Sequence, residues 1–137
     1  MDALLVDTNV VLDLLARRED FFVEAQELFT LSDHNKVQLN VSSLTFANTH
    51  YILSQQVKTP NARRILRKFK VLVNLISLND KIIELALDSD FKDFEDAIQY
   101  YSALECKADI IITRNQKDFK LAQIPVLTAK EHLKLRR

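Results

Sequence analysis

The sequence predicts an α/β fold in which helices cover both faces of a parallel sheet. Residues 4–9 pass from an apolar run to an acid, a hydroxyl and an amide, and an apolar-periodic segment follows at once. This pattern is typical of a buried parallel strand that ends where a helix begins. The run of Ile110, Ile111 and Ile112 indicates a second buried strand. Strand and helix patterns alternate along the whole chain, which favours a parallel sheet with crossover helices.

Each predicted element follows from its own local pattern. The strands are expected at residues 4–6, 37–41, 73–78, 110–113 and 125–127. The helices are expected at residues 10–16, 21–31, 44–56, 60–71, 82–87, 93–107 and 128–135. Four helices are preceded by a polar residue whose side chain can accept from a free backbone N–H group, namely Ser42, Asn79, Asp93 and Thr128.

Helical spacing also predicts which side chains face the core. On the helix at 44–56 the apolar face includes Tyr51. On the helix at 93–107 it includes Phe94 and Leu104. These three side chains are therefore expected to be buried.

Composition limits the classes of protein that the chain can belong to. Its 137 residues are expected to form a single domain, 1–137, and Lys and Arg number 19, as do Asp and Glu. The neutral balance gives no argument for a nucleic-acid partner. The absence of glycine excludes both a dinucleotide-binding fingerprint and a phosphate-binding P-loop. Cys106 is the only cysteine and there is no apolar run long enough to span a membrane, so a cytoplasmic location is expected.

Three acids lie where the predicted strand ends converge. Asp7 follows the first strand, Asp96 lies in the first turn of the helix before the isoleucine strand, and Asp118 lies five residues after that strand. Right-handed crossovers bring such positions to one edge of the sheet, where clustered carboxylates repel one another unless a cation binds. Oxygen ligands favour Mg²⁺ or Mn²⁺ over zinc. A water molecule bound to such an ion can attack a phosphodiester.

Each acid also has a plain structural interpretation, which stays open at this point. Asp7 is placed to cap the helix that follows it. Asp96 is placed as the third residue of a helix capped by Asp93, an ordinary capping arrangement. Asp118 is placed as a surface turn residue. The metal-site hypothesis therefore depends on the three acids acting as a set.

The chain resembles the PIN-domain family, which includes the toxin ribonucleases of bacterial toxin–antitoxin pairs. Four segments carry the resemblance, in order: VDTNVVLD at 6–13, DFEDAIQYY at 93–101, ADIIITRNQKDF at 108–119 and IPVLT at 124–128. The resemblance implies a three-layer α/β/α sandwich with a central parallel sheet of about five strands. It also implies Mg²⁺- or Mn²⁺-dependent cleavage of RNA, an antitoxin protein as a partner, and a homodimer.

The resemblance assigns site residues position by position. Asp7 matches the family's first acid and Asp96 its acid on the late helix, while Asp118 matches a second acid of the segment after the late strand. Two positions depart from the family pattern, because Asn48 and Asn115 stand where carboxylates are usual. The resemblance and the sequence around the acids suggest supporting roles for further residues, namely Thr8, Asn9, Glu95 and Thr113. The loss of two carboxylates favours an alternative, a non-catalytic PIN-like module that binds RNA or a protein.

One helix carries a marked basic cluster. Four basic residues of the helix at 60–71 are predicted to form an exposed stripe, namely Arg63, Arg64, Arg67 and Lys68. The stripe is interpreted either as a track for RNA phosphates or as the solvated face of an amphipathic helix. Arg114 is likewise interpreted either as a phosphate contact or as a solvated side chain.

Overall fold

The computed structural model describes residues 1–136, which form an α/β fold. Its strands are β1 (Asp2–Val6), β2 (Val37–Ser42), β3 (Asn74–Ile76), β4 (Ile110–Ile112) and β5 (Val126–Leu127). Its helices are α1 (Thr8–Leu15), α2 (Phe22–Asp33), α3 (Ser43–Leu53), α4 (Thr59–Lys70), α5 (Asp80–Asp88), α6 (Phe94–Glu105) and α7 (Ala129–Leu135). A 3₁₀ helix, Gln116–Phe119, follows β4 and was not predicted. None of the described helices is both long enough and apolar enough to cross a membrane.

The five strands form one parallel sheet in the order β3-β2-β1-β4-β5. β1 is central and pairs with β2 on one side and with β4 on the other. From β1 the chain adds β2 and β3 on one side of the sheet and then returns to add β4 and β5 on the other side. The order of the strands therefore reverses between β1 and β4. In open α/β sheets the crevice at such a reversal, beyond the carboxyl ends of the strands, is where ligands bind. Asp7 and Thr113 come directly after these two strands.

The side chains of the central strands alternate between two cores, as in a sheet covered on both faces. Leu4 and Val6 pack in one core together with residues of α1 and α2. Leu5 and Ile111 pack in the other core, against Tyr100 of α6. Helices therefore cover both faces, which confirms the predicted three-layer α/β/α sandwich.

All four predicted helix caps are present. Ser42 accepts a hydrogen bond from the backbone N–H of Thr45 at 3.1 Å, and Asn79 and Asp93 cap α5 and α6 in the same way. Thr128 and Glu131 form a reciprocal capping box at the start of α7. Capping depends on short-range geometry, which is why the sequence predicts it well.

The predicted burial of three side chains is wrong. Tyr51 is 66% exposed, Phe94 43% and Leu104 42%. The inward face of α3 instead carries Thr45 and Thr49, and that of α6 includes polar side chains besides its apolar ones. Because the buried faces of both helices contain polar residues, hydrophobic spacing alone places these faces incorrectly.

Candidate active site

The carboxylate of Asp7 lies at the carboxyl end of the central strand and is 7% exposed. One oxygen, Oδ1, accepts hydrogen bonds from the Thr8 backbone N–H at 2.8 Å and from Gln99 Nε2 at 3.1 Å. The other, Oδ2, accepts from Thr113 Oγ1 at 2.8 Å and from Asn9 Nδ2 at 3.3 Å. The capping interpretation of Asp7 is thus correct but incomplete, since three further groups hold this carboxylate.

Burial dominates the electrostatics of Asp7. Removal from water raises the pKa of its carboxyl, and the negative charge of Asp118 raises it further. Hydrogen bonds from Thr113, Thr8 and Gln99 act in the opposite direction, because they favour the charged form. The carboxylate is therefore well held but has no cationic side chain among its hydrogen-bond donors.

Asp96 is the second acid of the site and lies in the first turn of α6. Partial burial is the largest cause that raises the pKa of Asp96, followed by the negative charges of Asp93, Asp7, Asp118 and Glu95. Together they raise this pKa to about 7. The backbone N–H of Asp96 donates to Asp93 at 3.1 Å, so Asp93 caps the helix as predicted. The four neighbouring acids favour the protonated, neutral form of Asp96. A bound cation would favour its charged form instead.

A cleft of about 390 Å³ brings most of the predicted site residues together. Its lining includes eight polar residues, namely Asp7, Thr8, Asn9, Asn48, Glu95, Asp96, Gln99 and Asn115. Within it the amide of Asn48 donates to Glu95 at 3.5 Å. Thr113 is buried directly behind Asp7.

Asp118 lies apart from this cleft. It lines a neighbouring cleft of about 350 Å³, which shares Asp96 with the first one. Among residues 1–136, no three His, Cys, Asp or Glu side chains are close enough together to form a ready-made metal site. The three predicted carboxylates are therefore not assembled into one cluster, although the charge of Asp118 acts on both Asp7 and Asp96.

The remaining donors nevertheless suit a hard cation. Mg²⁺ usually binds through one or two carboxylates and keeps several water ligands. Asp7 and Asp96 supply two carboxylates on one cleft, and Asn48 and Asn115 supply amide oxygens there. Of the described residues, Arg18 is the cationic side chain in the lining of this cleft, and it pairs with Asp13 at 3.8 Å. The negative charges that raise the pKa values of Asp7 and Asp96 are therefore not offset by any other cation that residues 1–136 place in the cleft. The donor chemistry thus fits a divalent metal ion.

Comparison with known proteins identifies the family. The family model described as PIN domain matches residues 3–117. The chain belongs to the PIN domain family. It is 32% identical over 136 residues to "Ribonuclease VapC1" of Aquifex aeolicus (strain VF5), covering 92% of this chain and 90% of that protein.

Solved structures agree with the fold. The chain is similar to a toxin–antitoxin complex from Klebsiella pneumoniae, with a TM-score of 0.68, 28% identity, and coverage of 91% of this chain and 96% of that one. It is also similar to the structure of FitAcB from Neisseria gonorrhoeae, with a TM-score of 0.71, 12% identity, and coverage of 93% and 98%. At this lower identity the second likeness supports the fold alone.

The structure gives Arg114 of this PIN domain a different partner from the one predicted. Its Nε and Nη2 atoms donate to the two carboxylate oxygens of Asp13, at 2.8 Å and 3.1 Å. The guanidinium also lies 4.0 Å from the ring centroid of Phe21. Asp13 is 2% exposed, so this bidentate pair compensates a buried charge. The geometry therefore supports a structural role for Arg114, and a phosphate contact by this side chain stays a prediction.

Several residues of the site were missed by the sequence analysis. Gln99 is 2% exposed and bonds directly to Asp7, and Thr45 is fully buried beside it. Asp13 was passed over although it lies on the apolar face of α1. Asp13 carries a signal that could have found it, because it is a polar residue inside the apolar-periodic segment that forms α1. No comparable signal marks Thr45 or Gln99, since helical spacing alone places the buried faces of α3 and α6 incorrectly.

The role of Arg114 can be tested by removing its side chain. Arg114→Ala should lower the free energy of unfolding by about 2–3 kcal/mol, because it leaves the buried Asp13 carboxylate with only the more distant Arg18. Urea denaturation measures this change. Arg63→Ala is the matched control and should stay within about 0.5 kcal/mol of the parent, since Arg63 is exposed. Equal stability of both variants would show that the pair with Asp13 is not structural.

Proposed function

We propose that this chain is a Mg²⁺- or Mn²⁺-dependent ribonuclease of the PIN type and the toxin of a toxin–antitoxin pair. The single observation that carries the proposal is the placement of Asp7 and Asp96 on one cleft where the sheet reverses direction, both with raised pKa values. The relative from Aquifex aeolicus is named a ribonuclease, and the similar Klebsiella structure is a toxin–antitoxin complex. Family and site chemistry therefore favour the same function.

Asp7 and Asp96 are the residues that would hold the cation. A divalent ion held there would supply a nucleophilic water near neutral pH and a positive charge beside the phosphate. Asn48 and Asn115 contribute neutral oxygens, and Thr113 fixes the orientation of Asp7 through its 2.8 Å hydrogen bond. Asp118 acts on both acids through its charge, so we assign it an electrostatic role beside the metal.

The hydrogen bonds of Asp7 place a condition on metal binding. An ionised carboxylate offers about four acceptor positions, and four donors already occupy those of Asp7. For Asp7 to hold a cation, one of these four donors would have to give up its hydrogen bond. Asn9 makes the longest of the four bonds, at 3.3 Å, and its amide also bonds to Thr113 at 3.2 Å. We assign Asn9 as the group that yields to the ion.

RNA binding is assigned to the stripe on α4, defined by Arg63, Arg64, Arg67 and Lys68. All four side chains are exposed, while Ala62, Leu66 and Phe69 form the buried face of the helix. Ala62 and Leu66 pack against Leu53 of α3, and α3 carries Asn48 on the cleft. The helix that carries the stripe therefore packs directly against the helix that carries Asn48 of the candidate metal site.

The partner protein follows from the same relatives. An antitoxin that binds this chain is proposed from the likeness to the Klebsiella toxin–antitoxin complex. The homodimer suggested by the family resemblance stays a prediction.

Substitution of the acids tests the catalytic assignment. Asp7→Asn and Asp96→Asn should each lower the rate of RNA cleavage on the order of 100-fold or more, because each removes a charged ligand of the cation. Asp118→Asn should cause a smaller loss, since Asp118 lies outside the cleft. Cleavage of a labelled single-stranded RNA is measured with Mg²⁺, with Mn²⁺ and with EDTA.

Two results would contradict this assignment. Full activity in EDTA would exclude the metal, and parent-like rates for both Asp7→Asn and Asp96→Asn would exclude the site. Binding of RNA without cleavage in either metal would favour the non-catalytic module considered above.

The stripe on α4 can be tested separately from catalysis. In the Asp96→Asn background, Arg67→Gln/Lys68→Gln should weaken binding of single-stranded RNA and lower the slope of log affinity against log salt by about 1 to 1.5. Fluorescence anisotropy at several salt concentrations measures both effects. Lys130→Gln/Lys134→Gln is the control of equal charge loss, because both exposed lysines lie on α7, which follows β5 at the opposite edge of the sheet from β3. Equal losses in both double variants would mean that the contact is nonspecific.

A further inference from the structure

Gln99 is a buried amide on the same helix as Asp96. It is 2% exposed and lies three residues after Asp96 on α6, so the two side chains fall on neighbouring positions of one helix face. A core position normally carries an apolar residue, and a buried amide is tolerated only when its polar atoms are satisfied. The partners of Gln99 therefore indicate why an amide stands there.

Every polar atom of this amide has a partner in the site. Oε1 accepts from Ser42 Oγ at 2.8 Å, and Nε2 donates to Thr45 Oγ1 at 2.7 Å and to Asp7 Oδ1 at 3.1 Å. The bonds to Ser42 and Thr45 are the shorter ones, so they fix the amide, and the amide in turn holds the carboxylate.

The two anchors of Gln99 belong to the start of α3. Ser42 caps this helix by accepting from the Thr45 backbone N–H at 3.1 Å, and Thr45 Oγ1 also lies 2.9 Å from Thr8 Oγ1. Asn48 lies three residues after Thr45, on the same helix and on the cleft. Gln99 thus connects three of the elements that carry the proposed oxygen donors: the end of β1 with Asp7, α3 with Asn48, and α6 with Asp96.

We propose that Gln99 is a positioning residue that sets the Asp7 carboxylate relative to Asp96 and thereby the metal affinity of the site. The inference rests on the proposed function, because it assigns Asp7 and Asp96 as the residues that hold the cation. Gln99 itself does not touch the metal in this assignment. It acts through Asp7, as the groups that hydrogen-bond to metal ligands do in other metal sites.

Replacement of the amide by an apolar side chain of similar length tests the proposal. Gln99→Met should weaken Mn²⁺ binding about 10–100-fold, the usual effect of removing a partner that orients a metal ligand. Isothermal titration calorimetry on the full chain measures the affinity, and thermal unfolding without metal shows that the variant is folded.

Ser102→Ala is the matched control. Ser102 lies on the same helix, is fully buried, and its hydroxyl has no hydrogen-bond partner among the described residues. Its removal should leave the Mn²⁺ affinity within about twofold of the parent, since most changes without a lost partner have small effects. A loss that also appears in Ser102→Ala would reflect general loosening of α6 and would overturn the proposal.

A second variant acts on the anchor of Gln99. Thr45→Val removes the hydroxyl that accepts at 2.7 Å but leaves the bond between Gln99 and Asp7 possible. It should weaken Mn²⁺ binding severalfold, less than Gln99→Met, and it decides the question if Gln99→Met does not fold. Parent-like affinity in the folded variants would overturn the proposal alone. A parent protein that binds no Mn²⁺ at millimolar concentration would overturn the proposed function and the role of Gln99 with it.

Discussion

Burial of the Asp7 carboxylate at the end of the central strand is the constraint on which the rest of the site depends. A carboxylate that is 7% exposed must be hydrogen-bonded, and its donors come from the start of α1, from the end of β4 and from α6. These elements meet where the sheet reverses its direction of growth. Because the buried Asp7 carboxylate requires hydrogen-bond donors, it accounts for the polar residues that surround it.

The polar network has consequences for how the helices pack. α3 and α6 place Thr45 and Gln99 on the sheet, so each helix contributes hydrogen bonds as well as apolar contacts to the interior. Tyr51 turns outward onto the cleft as a result. A second buried charge, Asp13, is compensated by Arg114 close to the same edge. Hydrogen bonds and ion pairs of buried carboxylates thus determine the structure at the carboxyl end of the sheet. Apolar packing stabilises the rest of the sheet.

The contrast between these two regions explains how much the sequence predicts. Strands such as Ile110–Ile112 and caps such as Ser42 are local patterns, and the structure confirms them. The meeting of Asp7 and Asp96 on one cleft also follows from topology. Gln99 escapes prediction, because its partner Asp7 lies 92 residues away and nothing local distinguishes it from a solvated glutamine. No sequence pattern indicates the 3₁₀ helix that carries Asp118, so its position on the neighbouring cleft, beside Asp96, is seen only in the structure.

The most direct test of the account is the number of protons released when Mn²⁺ binds. Calorimetry at pH 6.5 in two buffers of different ionisation enthalpy gives this number. A carboxyl whose pKa is about 7 is roughly three-quarters protonated at pH 6.5, so binding should release roughly three-quarters of a proton there and almost none at pH 8.5. The release should disappear in large part in Asp96→Asn. Binding at pH 6.5 without proton release would contradict the claim that Asp96 has a raised pKa and holds the metal.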